Sequence, residues 1–102
     1  MEKHDRKIPD VADTLHDAAA QRYVLRMEPA DAFASYEMEG DTKVLTHVEV
    51  DPAWRGTGLG ERFAGEVLNR VLAEGGKARI TCPYMRGLAA KHPVWAAHYG
   101  LA

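Results

Sequence analysis

The chain has 102 residues, enough for one domain with its own core and few enough that a second is not expected. Thirteen Lys and Arg against fifteen Asp and Glu leave no global basic surface for nucleic acid, and a single cysteine excludes an internal disulfide and fits a reducing compartment. No apolar run approaches the length of a membrane span and the polar start is no signal peptide, so the expectation is a single cytoplasmic domain over residues 1–102 without membrane or nucleic-acid partners.

Met1 to Asp10 is polar and charged and reads as a loose N-terminal arm. Val11 to His16 fits either a short strand or a helical turn. Gln21 to Met27 alternates as a strand, with Tyr23, Leu25 and Met27 on one face and Arg22, Val24 and Arg26 on the other; Glu28-Pro29 ends it. Ala30 to Glu39 is the next strand, with Phe33 and Tyr36 as its large residues, and Glu39-Gly40-Asp41 is a hairpin signal. Lys43 to Val50 is β-branched and closes an antiparallel meander. Pro52 supplies no N–H to a ladder and ends the strand.

Beyond it Leu59, Phe63, Val67 and Val71 recur every four residues, the spacing of one helix face, and predict a helix over Leu59 to Glu74. Gly75-Gly76 stops it. Lys77 to Cys82 is the last strand, with Ala78, Ile80 and Cys82 sharing a face. Strand, helix, strand implies a parallel pair with a right-handed crossover, whose ligand crevice lies beyond the carboxyl ends of the strands, here Val50 and Cys82. Pro83 suits a helix start; Tyr84 to Lys91 forms that helix, and Val94 to Tyr99 a final turn or two.

The chemistry concentrates between strand and main helix, in Arg55-Gly56-Thr57-Gly58-Leu59-Gly60. Glycine permits positive φ and lets a ligand approach the backbone, and the first N–H groups of a helix have no internal partner, so such a turn can cradle phosphate. The spacing is neither that of a triphosphatase loop, since no Lys-Ser or Lys-Thr occurs, nor that of a dinucleotide fingerprint.

Val48-x-Val50 followed by Arg55-x-x-Gly58-x-Gly60 resembles the acyl-CoA motif of the GNAT superfamily of N-acetyltransferases. Arg22-Tyr23, Ala32-Phe33, Tyr36, Gly40, Leu45-Thr46-His47, Glu49-Val50, Cys82-Pro83 and His92-Pro93 extend the likeness from Gln21 to Tyr99, in a compact form lacking the first strand-and-helix elements of a full-length member. The resemblance implies a truncated GNAT-like α/β fold, mostly antiparallel with one parallel pair and flanking helices. It implies acetyl-CoA as cofactor and an amine, on a small molecule or a protein, as acceptor. It also implies that Val48 and Val50 lie along the pantetheine arm and that the loop from Arg55 to Gly60 holds the pyrophosphate. A backbone N–H near Val50 would then face the oxyanion.

Cys82 meets a helix start, where thiols are reactive; it is a thiol beside the acyl group, as the resemblance favours, or a small buried hydrophobe. His47 and Glu49 share the face opposite Val48 and Val50; His47 could take a proton from an amine, or the pair could sit on a solvated face. The family's glutamate falls near Val44, which cannot act as a base, and its late tyrosine has no clean match in Leu88-Ala89-Ala90-Lys91-His92. A module that binds CoA with little catalysis therefore stays open beside an acetyltransferase. The five histidines lack metal-ligand spacing. Of Arg55, Arg62 and Arg86 only Arg55 belongs to the motif, and Trp54 and Trp95 read as packing anchors.

Overall fold

The computed structural model describes residues 8–101; most of the arm expected over Met1 to Asp10 lies outside the described residues. The chain forms a five-stranded sheet in the order β1 (Leu15–Asp17), β2 (Arg22–Leu25), β3 (Ala32–Glu39), β4 (Thr42–Glu49), β5 (Lys77–Ile80). The first four strands are antiparallel and β5 is parallel to β4, as expected for a meander closed by one strand-helix-strand unit. Helices α1 (Leu59–Glu74), α2 (Pro83–Ala90) and α3 (Pro93–His98) pack against one another and join one core with Tyr23, Leu25, Ala34, Tyr36, Leu45 and Ile80 of the sheet. No helix among the described residues is long and apolar enough to cross a membrane.

The four-residue period of α1 delivers what it predicts: Leu59, Phe63, Val67 and Val71 are all buried. Each contributes about 1.5–3 kcal/mol by leaving water. Gly75 ends the helix at φ 80°, its N–H reaching the carbonyls of Val71 and Leu72. A side chain would be strained at that φ.

The ambiguous Val11 to His16 resolves into both readings, a 3₁₀ turn at Val11–Asp13 and then β1. Asp10 starts the turn by accepting from the Ala12 N–H at 2.9 Å. The strand expected to reach Cys82 stops at Ile80, because the Leu45 carbonyl accepts from both the Thr81 and Cys82 N–H groups, at 2.9 and 3.3 Å. With Pro83 next, Cys82 becomes the N-cap residue of α2.

β4 contains an irregularity that alternation alone does not show. Ser35 pairs with His47 but Tyr36 with Leu45, so Thr46 is an extra residue, a β-bulge. Lys43 and Leu45 face the helices before it; Val48 faces them after it, and His47 and Glu49 face away.

At the far end of α1, five polar side chains converge from five elements. The Tyr23 hydroxyl donates to Glu74 Oε1 at 2.7 Å, and Lys43 Nζ donates to both, at 2.7 and 3.0 Å. His16 lies 3.2 Å from Glu74 Oε2, hydrogen-bonds the Tyr36 hydroxyl at 2.7 Å and stacks on the Tyr23 ring. Burial, then the neighbouring carboxylate, keeps the Tyr23 phenol protonated far above the ordinary tyrosine range. Burial alone would raise Glu74, but the bonds from Tyr23 and Lys43 and the charges of Lys43 and His16 outweigh it and hold Glu74 below its ordinary 4.5. A depressed carboxylate contributes stability that is complete above its unfolded-state value and lost as pH falls through its lower folded-state value. Glu74→Gln should therefore flatten the acid limb of the stability profile below pH 4.5. It should cost about 1 kcal/mol at neutral pH, since the carboxylate is partly solvated. Denaturant melts from pH 2 to 8 check this; parallel profiles for both proteins would show that Glu74 is not the titrating group.

Candidate functional site

β4 runs on to Glu49 after β5 has turned away at Ile80. Where the strands part there is a cleft of about 630 Å³, lined by Val48, Val50, Trp54, the Arg55–Gly60 loop and, from the other side, Cys82 and Tyr84. Open polar backbone beside a concave apolar wall is the usual form of a small-molecule site.

The loop is held from below. Asp51 Oδ1 accepts the Ala53 N–H at 2.8 Å and starts a 3₁₀ turn over Pro52–Trp54. The Trp54 indole is buried and donates to the Glu28 carbonyl at 2.9 Å. Thr57 donates its hydroxyl to the Trp54 carbonyl at 2.6 Å and accepts the Leu59 N–H at 3.2 Å. Gly56 and Gly58 take φ 83° and 79°, and a Cβ at either would meet no protein atom within 4 Å. That open space is where a ligand can approach the main chain.

The structure brings Val48, Val50, Arg55, Gly56, Gly58, Gly60 and Cys82 around one cavity. It does not bring all the sequence candidates there. Leu59 is fully buried as the first core residue of α1, and Thr57 acts on the loop from within through its hydroxyl. His47 projects from the opposite face of the sheet, exposed, 3.1 Å from Glu49 and beside the Phe33 ring. Arg86 is occupied on the Ile80 carbonyl at 3.0 Å. Val44 is buried and apolar. Among the described residues no three His, Cys, Asp or Glu converge as metal ligands.

Sequence reasoning missed Tyr84 and Glu61, both of which line the cleft. Tyr84 is two residues after Cys82, in the first turn of α2, and its hydroxyl lies 3.8 Å from where a Cβ on Gly60 would stand. The Cys82-Pro83-Tyr84 run at a strand end was the available signal. Burial first, then the Glu61 carboxylate and Cys82, raise Tyr84 above the ordinary tyrosine value of 10.0. It is thus a protonated donor at the mouth of the cleft throughout the neutral range.

A fold with one parallel pair parted over a glycine-rich helix start defines a class, and the comparisons agree. A family model described as GCN5-related N-acetyl-transferase matches residues 22–98. The chain is 32% identical over 82 residues to Protein NATD1 of Gallus gallus, covering 78% of this chain and 74% of that protein. The Homo sapiens Protein NATD1 is also 32% identical, with 78% and 73% covered. That of Bos taurus is 30% identical over the same length. The chain belongs to the GCN5-related N-acetyltransferase family, whose domains generally use acetyl-CoA.

The residues present fit that ligand. Val48 and Val50 offer an apolar wall, Arg55 a cation, and the glycine loop open main chain at a helix start. Glu61 also lines the cleft and would oppose an anion there by charge. The same carboxylate gives a direct check on the geometry. Glu61→Gln should lower the Tyr84 ionisation toward the ordinary value near 10. NMR-detected titration of the ring measures it; an unchanged midpoint would mean that Glu61 does not face Tyr84.

Proposed function

We propose that the protein transfers an acetyl group from acetyl-CoA to an amine in the cleft between β4 and β5. The observation that carries the reading is the convergence of the glycine loop, the Val48–Val50 wall and Cys82 on one cavity. Val48 and Val50 would flank the pantetheine arm, Arg55, Gly56, Gly58 and Gly60 would hold the pyrophosphate, and Cys82 and Tyr84 would stand near the sulfur. Bound there, acetyl-CoA supplies an acyl thioester open to attack by an amine, with the CoA thiol as leaving group. The chain's part is to position, and fixing two reactants can lower a barrier by roughly 7–11 kcal/mol in favourable cases. The main chain near Val50, just past the end of β4 and beyond the β4–β5 ladder, would face the acyl oxygen. Tyr84, protonated in the neutral range, would be placed to give a proton to the departing sulfur.

Cys82 shapes the acyl pocket and carries no acyl group itself. Among the described residues no base lies against its sulfur: His47 is on the other face of the sheet. His47, tied to Glu49, can serve only an amine that arrives from that face; an amine entering through the cleft gives its proton to water.

A second reading, a CoA-binding module with little turnover, draws on one specific observation: Val44, near which the resemblance puts the family's glutamate, is buried and apolar. Release of CoA with a panel of amines separates the two. The account expects sequential kinetics that persist in Cys82→Ala at a reduced rate. Tyr84→Phe should lose about tenfold to a hundredfold in rate. The rate should rise with pH as the amine loses its proton and fall only above the ordinary tyrosine range, because Tyr84 is held above 10.0. Binding without release of CoA for every amine would establish the module. Ping-pong kinetics with a competent acetyl group trapped on Cys82 would establish a covalent route.

A further inference from the structure

The parted end of β4 has two sides. Val48 and Val50 turn toward the cleft, and His47 and Glu49 turn to the sheet face away from the helices. Only the thickness of the strand separates the two pairs, since alternate side chains leave a strand on opposite faces. The ladder to β5 has ended at Ile80, so β4 has a free edge there. On the second face a band of side chains runs inward from the strand end. Glu49 stands opposite Phe33 of β3, and His47 opposite Ser35, which is itself opposite Arg22 of β2. His47 Nε2 lies 3.1 Å from Glu49 Oε1, and the His47 ring 5.8 Å from the Phe33 ring. The Arg22 guanidinium lies 4.1 Å from the Phe33 centroid. Stacking occupies the flat face of a guanidinium and leaves its N–H edges open. Arg26 is paired with Asp31 at 3.8 Å and Arg79 with Glu39, but Arg22 has no ion pair among the described residues. Asp17, opposite Arg22 on β1, accepts the Ala20 N–H through Oδ1 at 3.1 Å. A hollow of about 220 Å³ opens beside Arg22, lined also by Leu15, Asp17 and Val24.

We propose that the acceptor is a small amine bearing a carboxylate, its nitrogen beside His47 and Glu49 and its acid group on Arg22. The inference rests on the acetyl-transfer reading of the cleft. The band has a direction: a carboxylate and an imidazole at the strand end, an aromatic ring in the middle, a guanidinium at the far end. That order matches ammonium, apolar chain and carboxylate, and the reverse orientation would set the acid against Glu49. Two strand spacings separate β4 from β2, about 10 Å, which suits an extended chain of about five or six carbons. A guanidinium receives a carboxylate with two parallel hydrogen bonds. An amine beside Glu49 reaches the cleft past the free edge of β4. The Glu49 carboxylate can only accept, so His47 donates to it from Nε2 and keeps Nδ1 as its basic nitrogen. As the amine nitrogen bonds the acyl carbon it gives a proton to His47. The carbon–sulfur bond breaks, coenzyme A leaves as the thiol with the Tyr84 proton, and solvent returns both residues to their starting states.

Initial rates of coenzyme A release from acetyl-CoA test this with acceptors that differ only at one end: 6-aminohexanoate, 6-aminohexan-1-ol and 1,6-diaminohexane. The parent should use the acid at least about tenfold better than the alcohol in kcat/KM, and the diamine least well. Arg22→Gln should raise KM for the acid about tenfold and leave the alcohol unchanged. Arg22→Lys should restore part of the preference, since it returns the charge without the fork. Melting curves check that both variants fold, and the comparison of acceptors on the parent needs neither. NMR spectra of the parent without donor give a separate readout: the acid should shift the Phe33 and His47 ring resonances and the alcohol should not. Equal rates with acid and alcohol, a preference for the diamine, or an Arg22→Gln protein that loses all three alike overturns the proposal and leaves the transfer reading standing. Ring shifts from both compounds, or from neither, do the same. No release with any of the three overturns the proposal, and no release across the wider panel of amines overturns the transfer reading with it.

Discussion

The arrangement depends on one carbonyl. Leu45 accepts the N–H groups of both Thr81 and Cys82, so the parallel ladder between β4 and β5 closes there and goes no further. β4 continues to Glu49, paired with β3 on one edge only. Main chain without a ladder partner must meet water or a ligand. The right-handed connection between two parallel strands puts the start of α1 at that same end, and the turn after β5 puts the start of α2 there too. The wall, the glycine loop and Cys82 therefore meet because the strands part.

The opposite end of α1 does different work. Tyr23, Lys43 and Glu74 close a hydrogen-bonded triangle there, with His16 and Tyr36 beside it. It ties the carboxyl end of the helix to strands β1 to β4. A helix of 16 residues spans about 24 Å. The polar cluster at Glu74 and the cleft beside Gly58 are thus separated along one rod. The bulge at Thr46 makes a similar division within β4, facing Lys43 toward the helices before it and His47 away from them after it.

Much of this was legible in the sequence. The period of Leu59, Phe63, Val67 and Val71 fixes both the helix and its buried face, and Gly75 stops it for a reason visible in its φ. The strands of the meander and the parallel pair followed from alternation and order. The family could be named from Val48 to Gly60 before any coordinates. What stayed hidden depends on contacts between elements. β1, which the sequence offers only as one of two readings of Val11 to His16, is three exposed residues paired with β2. The bulge is a property of two strands together. Tyr84 reaches the cleft only because α2 packs where it does, and Arg22 meets the Phe33 ring only because β2 pairs with β3 in this register.

The central claim is that the loop binds through main chain exposed at Gly58, and a matched pair of substitutions tests it most directly. Gly58 and Gly76 have φ of 79° and 87°, and a Cβ at either meets no protein atom within 4 Å, but only Gly58 lines the cleft. Alanine should cost each protein a similar 1–2 kcal/mol or so of stability, from the left-handed backbone alone. Titration with coenzyme A should then show Gly76→Ala binding like the parent and Gly58→Ala at least about tenfold weaker, since the added methyl stands where the ligand must approach. Equal affinity for the two folded variants would contradict the account and move the ligand off the loop.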